Sequence, residues 1–174
     1  MANFLEKFFG KLFGSRSERE LKQLTPLVAS INAAYQELKP LSNDQLRNKT
    51  QEFRSRIKEH LKEIDGEIAA LNASAESVED IREKDSIYKQ VDELRKQRDK
   101  KIEEVLQEIL PEAFAVVKEV SYRFTNNETL QSTATELDRN LAAFSPNIII
   151  DGNNATYKNS WLAAGTEVKW DMVH

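Results

Sequence analysis

The chain has 174 residues, of which 31% are charged and 40% hydrophobic, and only five glycines and four prolines, a balance that suits long solvated helices better than a sheet-rich globule. It contains no cysteine, which excludes disulfides and thiolate metal sites. The net charge of −4 gives no overall attraction to nucleic acid, and no apolar run is long enough to span a bilayer.

Residues 3–13 are predicted to form a short amphipathic helix, which Gly14 ends, so that residues 1–14 are a segment of their own. Apolar and basic side chains recur in it at helical spacing. The candidate binding residues are Phe4, Leu5, Lys7, Phe8, Phe9, Lys11, Leu12 and Phe13. So many large apolar groups indicate docking, either on protein (its own bundle or a sister copy) or on a membrane, and the residues alone leave both open.

A helical region is expected over residues 15–144. Ser17 is expected to cap its first long helix, with Glu20 completing a capping box, and Pro26 should kink this helix or restart it at Thr25. Lys39-Pro40 closes it.

A long antiparallel hairpin is predicted over about residues 42–110. Ser42, with Gln45 three residues on, opens its first helix. The small polar run 72–77 predicts the loop, so the tip is expected near Ser74, and the second helix starts at about Val78.

The densest apolar stretch of the chain is residues 110–120. It predicts a buried core helix over residues 111–124 that continues the hairpin with a proline at the joint, and it places Phe114 in the interior. The expected fold class is therefore mainly α.

The last part of the chain changes character. Residues 128–144 predict a weaker helix, and the β-branched run 148–150 predicts a strand. A turn at 151–154, a return strand at 155–158 and a third strand around Gly165 would complete a small β-meander within residues 145–174.

The residues that commonly carry catalysis are scarce. There is no G-x-x-x-x-G-K-[ST] loop to hold the phosphates of a nucleotide, so these residues alone are not expected to bind ATP or magnesium. The two histidines, His60 and His174, cannot build a metal cluster or a hydrolytic triad. The sequence thus predicts no catalytic residue and no metal ligand, and it places His60 on an exposed helix face.

Three stretches resemble the N-terminal region of one known family. Residues 110–123, LPEAFAVVKEVSYR, resemble the L-I-P-E-A-F-A-V-V-R-E-A segment of SecA, the motor ATPase of bacterial protein export. Residues 41–57, LSNDQLRNKTQEFRSRI, are similar to its L-S-D-E-E-L-K-G-K-T-A-E-F-R-A-R-L run. The family joins these two motifs by a much shorter segment, so residues 60–101 are expected to be an insertion that lengthens the hairpin.

The third stretch is residues 170–174, WDMVH, which is similar to the region just before the family's adenine-recognising glutamine motif and its phosphate-binding loop. The family has Met-Arg-His there, and Val173 replaces its arginine. By this resemblance Met172 and His174 would border the adenine pocket. The chain is accordingly expected to be an N-terminal fragment of such a protein.

The resemblance implies a function in protein transport. The intact protein would use ATP and magnesium to move unfolded preproteins through the SecYEG translocon. Phe4 to Phe13 would contact anionic phospholipid and the translocon, so that the protein is cytoplasmic and peripheral on the cytoplasmic face of the bacterial inner membrane. A homodimer stays open, and nucleic acid is not an expected partner. The alternative is a stand-alone helical coiled-coil adaptor without ATPase activity, whose hairpin binds a partner helix.

Overall fold

The computed structural model describes residues 16–170, apart from the side chains of residues 16–20 and 23. The described part is mainly α-helical, as predicted. In chain order its elements are α1 (Arg16–Leu38), α2 (Asn43–Ser77), α3 (Ile81–Asn126), β1 (Thr129–Thr133), α4 (Glu136–Ala142), β2 (Ile148–Asp151), β3 (Asn154–Lys158), β4 (Ser160–Ala163) and β5 (Thr166–Lys169). Within these residues, no helix combines the length and the apolar character that crossing a membrane would require.

The chain divides into two compact units. The hairpin unit is Ser42–Leu110, and the sheet unit combines Met1–Leu41 with Pro111–His174. Each unit has its own buried side chains, so each is described by itself.

The hairpin unit begins as the sequence predicts. The Ser42 hydroxyl oxygen accepts a hydrogen bond of 3.2 Å from the backbone N–H of Gln45, and the Ser42 N–H donates one of 2.8 Å to Gln45 Oε1. This capping box satisfies two backbone donors that a helix start leaves unpaired.

The predicted loop at residues 72–77 is wrong, because α2 continues through it to Ser77. The hydroxyls of Ser74 and Ser77 donate to backbone carbonyls one turn back, those of Leu71 and Ser74, so these residues fit within a helix. Ala75 is fully buried. Small residues here serve close packing and do not break the helix.

The hairpin tip is therefore residues 78–80. Asp80 caps α3: its Oδ1 atom accepts hydrogen bonds of 2.7 Å from Arg82 N and 3.2 Å from Glu83 N. Such a short connection makes α2 and α3 antiparallel neighbours. The buried apolar side chains of this unit are Leu46, Leu61, Ile64, Ala75, Ile87, Val91, Val105 and Ile109.

Polar residues also cross the hairpin. Arg98, which interrupts the apolar stripe of α3, pairs with Asp65 on α2. His60 is half-buried, not exposed as predicted, and its Nε2 lies 4.0 Å from Glu104 Oε2. The Arg98–Asp65 pair thus joins α2 to α3 across the hairpin.

Helix α1 in the sheet unit passes through Pro26, so the predicted restart at Thr25 does not occur. Ser17 lies inside the helix, so the prediction that it caps this helix is wrong. The hydroxyl of Thr25 donates to the carbonyl of Leu21 at 2.9 Å, four residues back. Among the side chains of α1 that the structure describes, the buried apolar ones are Tyr35 and Leu38, in its C-terminal part.

The predicted core helix continues the second helix of the hairpin, as expected. Pro111 lies inside α3, which runs without interruption to Asn126. The prediction that residues 111–124 are buried is wrong for one face of the helix. Phe114 is 53% and Val117 63% exposed, whereas Ala115 is fully buried. The face of the helix that points to the interior is therefore the one that carries Ala115, and Phe114 lies on the other side.

The first half of the helix predicted at residues 128–144 is a strand. Strand β1 pairs antiparallel with β3, and β2 pairs with the other edge of β3, so the order is β1-β3-β2. Helix α4 follows, capped by Thr135. The alternating exposure of Thr129–Thr133 is typical of a strand with one buried face.

The predicted third strand of a meander is also wrong. Strands β4 and β5 form a separate two-stranded sheet, in which Ala163 pairs with Thr166. The two residues between them, Ala164 and Gly165, have φ angles of 49° and 82°. Two positive φ angles suit the tight turns that join twisted antiparallel strands.

Candidate functional site

A buried ion pair lies on α3 in the sheet unit. Arg123 Nε donates a hydrogen bond of 2.7 Å to Glu119 Oε1, one helical turn earlier. Glu119 is 4% exposed, and its second oxygen, Oε2, is buried without a hydrogen-bond partner among the described residues. A buried carboxylate is costly to keep charged, so the charge of Glu119 depends on the nearby guanidinium of Arg123.

The same arginine reaches the end of α1. Arg123 Nη2 donates to the backbone carbonyls of Leu41 at 2.7 Å and of Leu38 at 3.4 Å. The last carbonyls of a helix have no partner within the helix, so a cation here satisfies them and suits the negative end of the dipole. The contact ties the C-terminus of α1 to α3.

Tyr35 on α1 packs beside this ion pair. Its ring is buried, and burial, followed by the adjacent Glu119 carboxylate, raises the pKa of the Tyr35 hydroxyl above its ordinary value. The Lys118 ammonium lies 4.5 Å from the ring centroid and donates a hydrogen bond of 2.8 Å to Asn32 Oδ1. These contacts align α1 with α3 over two helical turns.

Aromatic side chains join the end of α3 to both sheets. Phe124 stacks on Trp170 with ring centroids 5.6 Å apart, and it meets Tyr157 of β3 edge-on at 6.5 Å. Trp161 of β4 contacts Trp170 at 5.8 Å. Trp170 N also donates a hydrogen bond of 3.0 Å to the carbonyl of Asn159. The chain is thus held in place two residues before Met172.

Asp138, a buried carboxylate on α4, links this helix to β3. Its Oδ1 atom accepts a short hydrogen bond from the Tyr157 hydroxyl, and Oδ2 accepts from the N–H and the hydroxyl of Thr135. Asp138 is therefore the third residue of a capping box and a cross-element anchor at once.

The residues predicted to bind lipid or the translocon, Phe4 to Phe13, lie outside the described residues. Met172 and His174, predicted to border an adenine pocket, also lie outside them. Across residues 16–170 no group of three or more His, Asp or Glu side chains is arranged to hold a metal ion. The contacts described above position chain segments relative to one another within the sheet unit.

The sequence carries a local signal for the ion pair on α3 but none for the aromatic cluster. Glu119 and Arg123 are opposite charges four residues apart on α3, a spacing at which side chains of a helix pair. The β propensity of Trp161 and Trp170 favours strands, but it carries no information about the cluster that these residues form with Phe124.

A family model described as the SecA DEAD-like domain matches residues 9–135. Among curated proteins, the Protein translocase subunit SecA of Porphyromonas gingivalis is 44% identical over 168 residues, which is 97% of this chain and 15% of that protein. The same subunit of Christiangramia forsetii is 41% identical over 172 residues, 99% of this chain and 15% of the relative. The subunit of Amoebophilus asiaticus is 42% identical over 170 residues, again 97% and 15%.

No solved structure matches the chain. The chain spans about 15% of the length of the curated relatives that it matches. The relatives cover residues 60–101 together with the rest of the chain, and nothing in the comparisons favours a stand-alone adaptor. The chain therefore belongs to the SecA family.

Proposed function

We propose that this chain is part of a translocase that uses ATP and magnesium to move unfolded preproteins through the SecYEG translocon. The observation that carries the proposal is 44% identity over 97% of the chain to a Protein translocase subunit SecA. Since the chain spans 15% of that relative, hydrolysis would depend on parts of the protein that lie outside these residues.

In this proposal the sheet unit positions the chain segment that leads to the nucleotide-binding site. Phe124, Trp161 and Trp170 hold the chain next to Met172 and His174, which would lie at the edge of the adenine pocket. The exposed apolar side chains of the unit are a second support, because such surface marks an interaction site on a soluble unit. They are Leu21, Leu24, Val28, Phe114 and Val117.

Segment 4–13 would contact the translocon and an anionic membrane surface, which makes the protein peripheral on the cytoplasmic face of the inner membrane. Each Phe or Leu contributes about 1.5–3 kcal/mol at full burial and less at interfacial depth. Lys7 and Lys11 would add roughly 1 kcal/mol each near an acidic surface. Hydrophobic burial should therefore dominate, and charge should select the lipid.

A chimaera tests the translocase proposal. Residues 1–174 would replace the matching segment of the Porphyromonas gingivalis relative, and ATP-dependent import of a preprotein into inner-membrane vesicles would be measured. We expect import to be retained, and to be lost when Arg123→Met, which releases the end of α1, is added. A chimaera that folds and hydrolyses ATP without any import would contradict the proposal.

Liposome flotation tests the membrane contact. Phe8→Asp should abolish binding, whereas Lys7→Glu with Lys11→Glu should weaken it on anionic vesicles and mainly at low salt. If the segment docks on protein instead, Phe8→Asp would lower the melting temperature or dissociate an oligomer. Failure of the wild type to float at low salt would refute a membrane role.

A further inference from the structure

The distal half of the hairpin unit carries a groove between its two helices. The groove has a volume of about 530 Å³ and runs along one flank of the hairpin. Its lining residues are Glu67, Ala70 and Leu71 on α2 and Gln90, Glu93, Leu94 and Gln97 on α3. Leu71 and Leu94 are only half-buried, although other leucines of the hairpin, such as Leu61, are covered.

The groove follows from packing two helices alone. An amphipathic helix has an apolar stripe at least about 100° wide, which a single neighbouring helix does not cover. Leu71, Leu94 and Ala70 are the part of that stripe left over in the hairpin unit. A third helix laid between α2 and α3 would bury them by the same packing that holds the hairpin.

The charge of the residues around the groove indicates which kind of helix would bind in it. Residues 61–97 hold six basic side chains, Lys62, Arg82, Lys84, Lys89, Arg95 and Lys96. They hold ten acidic ones, Glu63, Asp65, Glu67, Glu76, Glu79, Asp80, Glu83, Asp85, Asp92 and Glu93. This segment alone therefore carries −4, which is the net charge of the whole chain.

Acidic side chains also line the groove itself. Glu67 and Glu93 border its apolar floor. Glu93 pairs with Lys96 at 3.3 Å, but both side chains are mostly exposed, and an exposed pair of this kind opens at little cost. The two carboxylates are therefore available to an incoming cation, and an acidic partner would be repelled.

We propose that this groove binds a basic amphipathic helix of a partner protein, with a seam of Leu or Ala side chains on Leu71 and Leu94 and with Lys or Arg side chains on Glu67 and Glu93. The mode is a helix lying in a groove, with apolar anchors for affinity and charge for selection. This function is separate from the transport activity proposed above, because it uses the hairpin surface alone.

Fluorescence anisotropy on the 174-residue chain tests the proposal. The probe is an 18-residue helical peptide with a leucine seam flanked by lysines, and its control has glutamate at each lysine position. The lysine peptide should bind with a Kd of about 10–100 μM, as suits a contact this small, and added salt should weaken it. The glutamate peptide should not bind.

Matched variants localise the contact. Ala70→Arg places a large cation in the groove and should weaken binding about tenfold or more, whereas Ala69→Arg, one position along the same helix, should leave it within about threefold. Glu67→Lys should act like Ala70→Arg, and the more distal Glu76→Lys should act like Ala69→Arg. All four positions are exposed, so the fold should be kept, which circular dichroism checks.

Three results would overturn the proposal. Equal loss in the groove and control variants, or equal binding of the two peptides, would show non-specific attraction to an acidic surface. A dimer that Ala70→Arg dissociates would assign the groove to a second copy of the chain. Tighter binding of a peptide of residues 1–16 than of the lysine peptide would assign it to the chain's own N-terminal segment.

Discussion

Arg123 on α3 donates a hydrogen bond of 2.7 Å to the backbone carbonyl of Leu41, which lies 82 residues earlier in the chain. The same side chain neutralises Glu119 through its Oε1 atom, so one residue serves both a buried carboxylate and the carbonyls at the end of a helix. Removing it would leave both groups without their partner.

We therefore expect Arg123→Met to lower the free energy of unfolding by about 3–5 kcal/mol, the cost of leaving a buried charge unpaired. The double variant Glu119→Leu with Arg123→Met should be more stable than Arg123→Met alone, because the charge is removed as well. Urea denaturation measures both. Lys118→Met, which removes an exposed contact on the same helix, is the control and should cost about 1 kcal/mol or less.

Tyr35 should make stability fall at high pH. Because its pKa is raised in the folded state, the folded chain keeps this proton to higher pH than the unfolded chain does. The contribution is therefore fully present below about pH 10 and is lost as the pH rises through the folded-state pKa. The stability difference between the wild type and Tyr35→Phe should shrink between pH 8 and pH 11 in urea titrations. Tyr88→Phe, at an exposed tyrosine, gives the background, and an unchanged difference would contradict the prediction.

Two adjacent residues of α3 should respond in opposite ways to a change of size. Phe114→Ala should cost about 1 kcal/mol or less, because half of the ring is already exposed. Ala115→Phe should destabilise by about 1–3 kcal/mol or more, because the position has no exposed surface and the larger ring cannot fit without strain. Thermal unfolding of both variants checks the order, and a larger loss for Phe114→Ala would mean that the helix is covered on that side.

Residues 60–101 should be dispensable for the fold of the sheet unit. They lie within the hairpin unit, so replacing them by a short Gly/Ser linker should leave the unfolding transition reported by Trp161 and Trp170 cooperative. The urea m-value should fall, since less surface is exposed on unfolding. Loss of the cooperative tryptophan transition would show that the hairpin supports the rest of the chain.

The elements that could be predicted are those set by nearby residues. Ser42 and Gln45 cap α2 through contacts three residues apart, and the β-branched run at 148–150 forms a strand as expected. The wrong assignments depend on distant partners. Strand β1 forms because Thr129 pairs with Lys158, and helix α2 passes residues 72–77 because Ala75 packs in the hairpin interior. Such contacts have no local signature.

The contacts of the candidate site also divide into those set by nearby residues and those set by distant partners. The spacing of Glu119 and Arg123 is visible in the sequence, but the link from Arg123 to Leu41 is not, because 82 residues separate the two. Likewise the stacking of Phe124 on Trp170 needs the β4–β5 turn, which returns the chain to α3. The family resemblance, by contrast, is visible in three short stretches of the sequence, and membership of the family is confirmed.

The turn at Ala164 has a consequence for amide exchange with solvent. A non-glycine residue at a φ of 49° stores conformational strain of about 1–2 kcal/mol, and the two strands that it joins bond only to each other. Strand β3, by contrast, has a neighbour on both edges. Deuterium should therefore exchange into the backbone amides of β4 and β5 before those of β3. Trp170, which stacks on Phe124, should be the first side chain of the aromatic cluster to separate from α3.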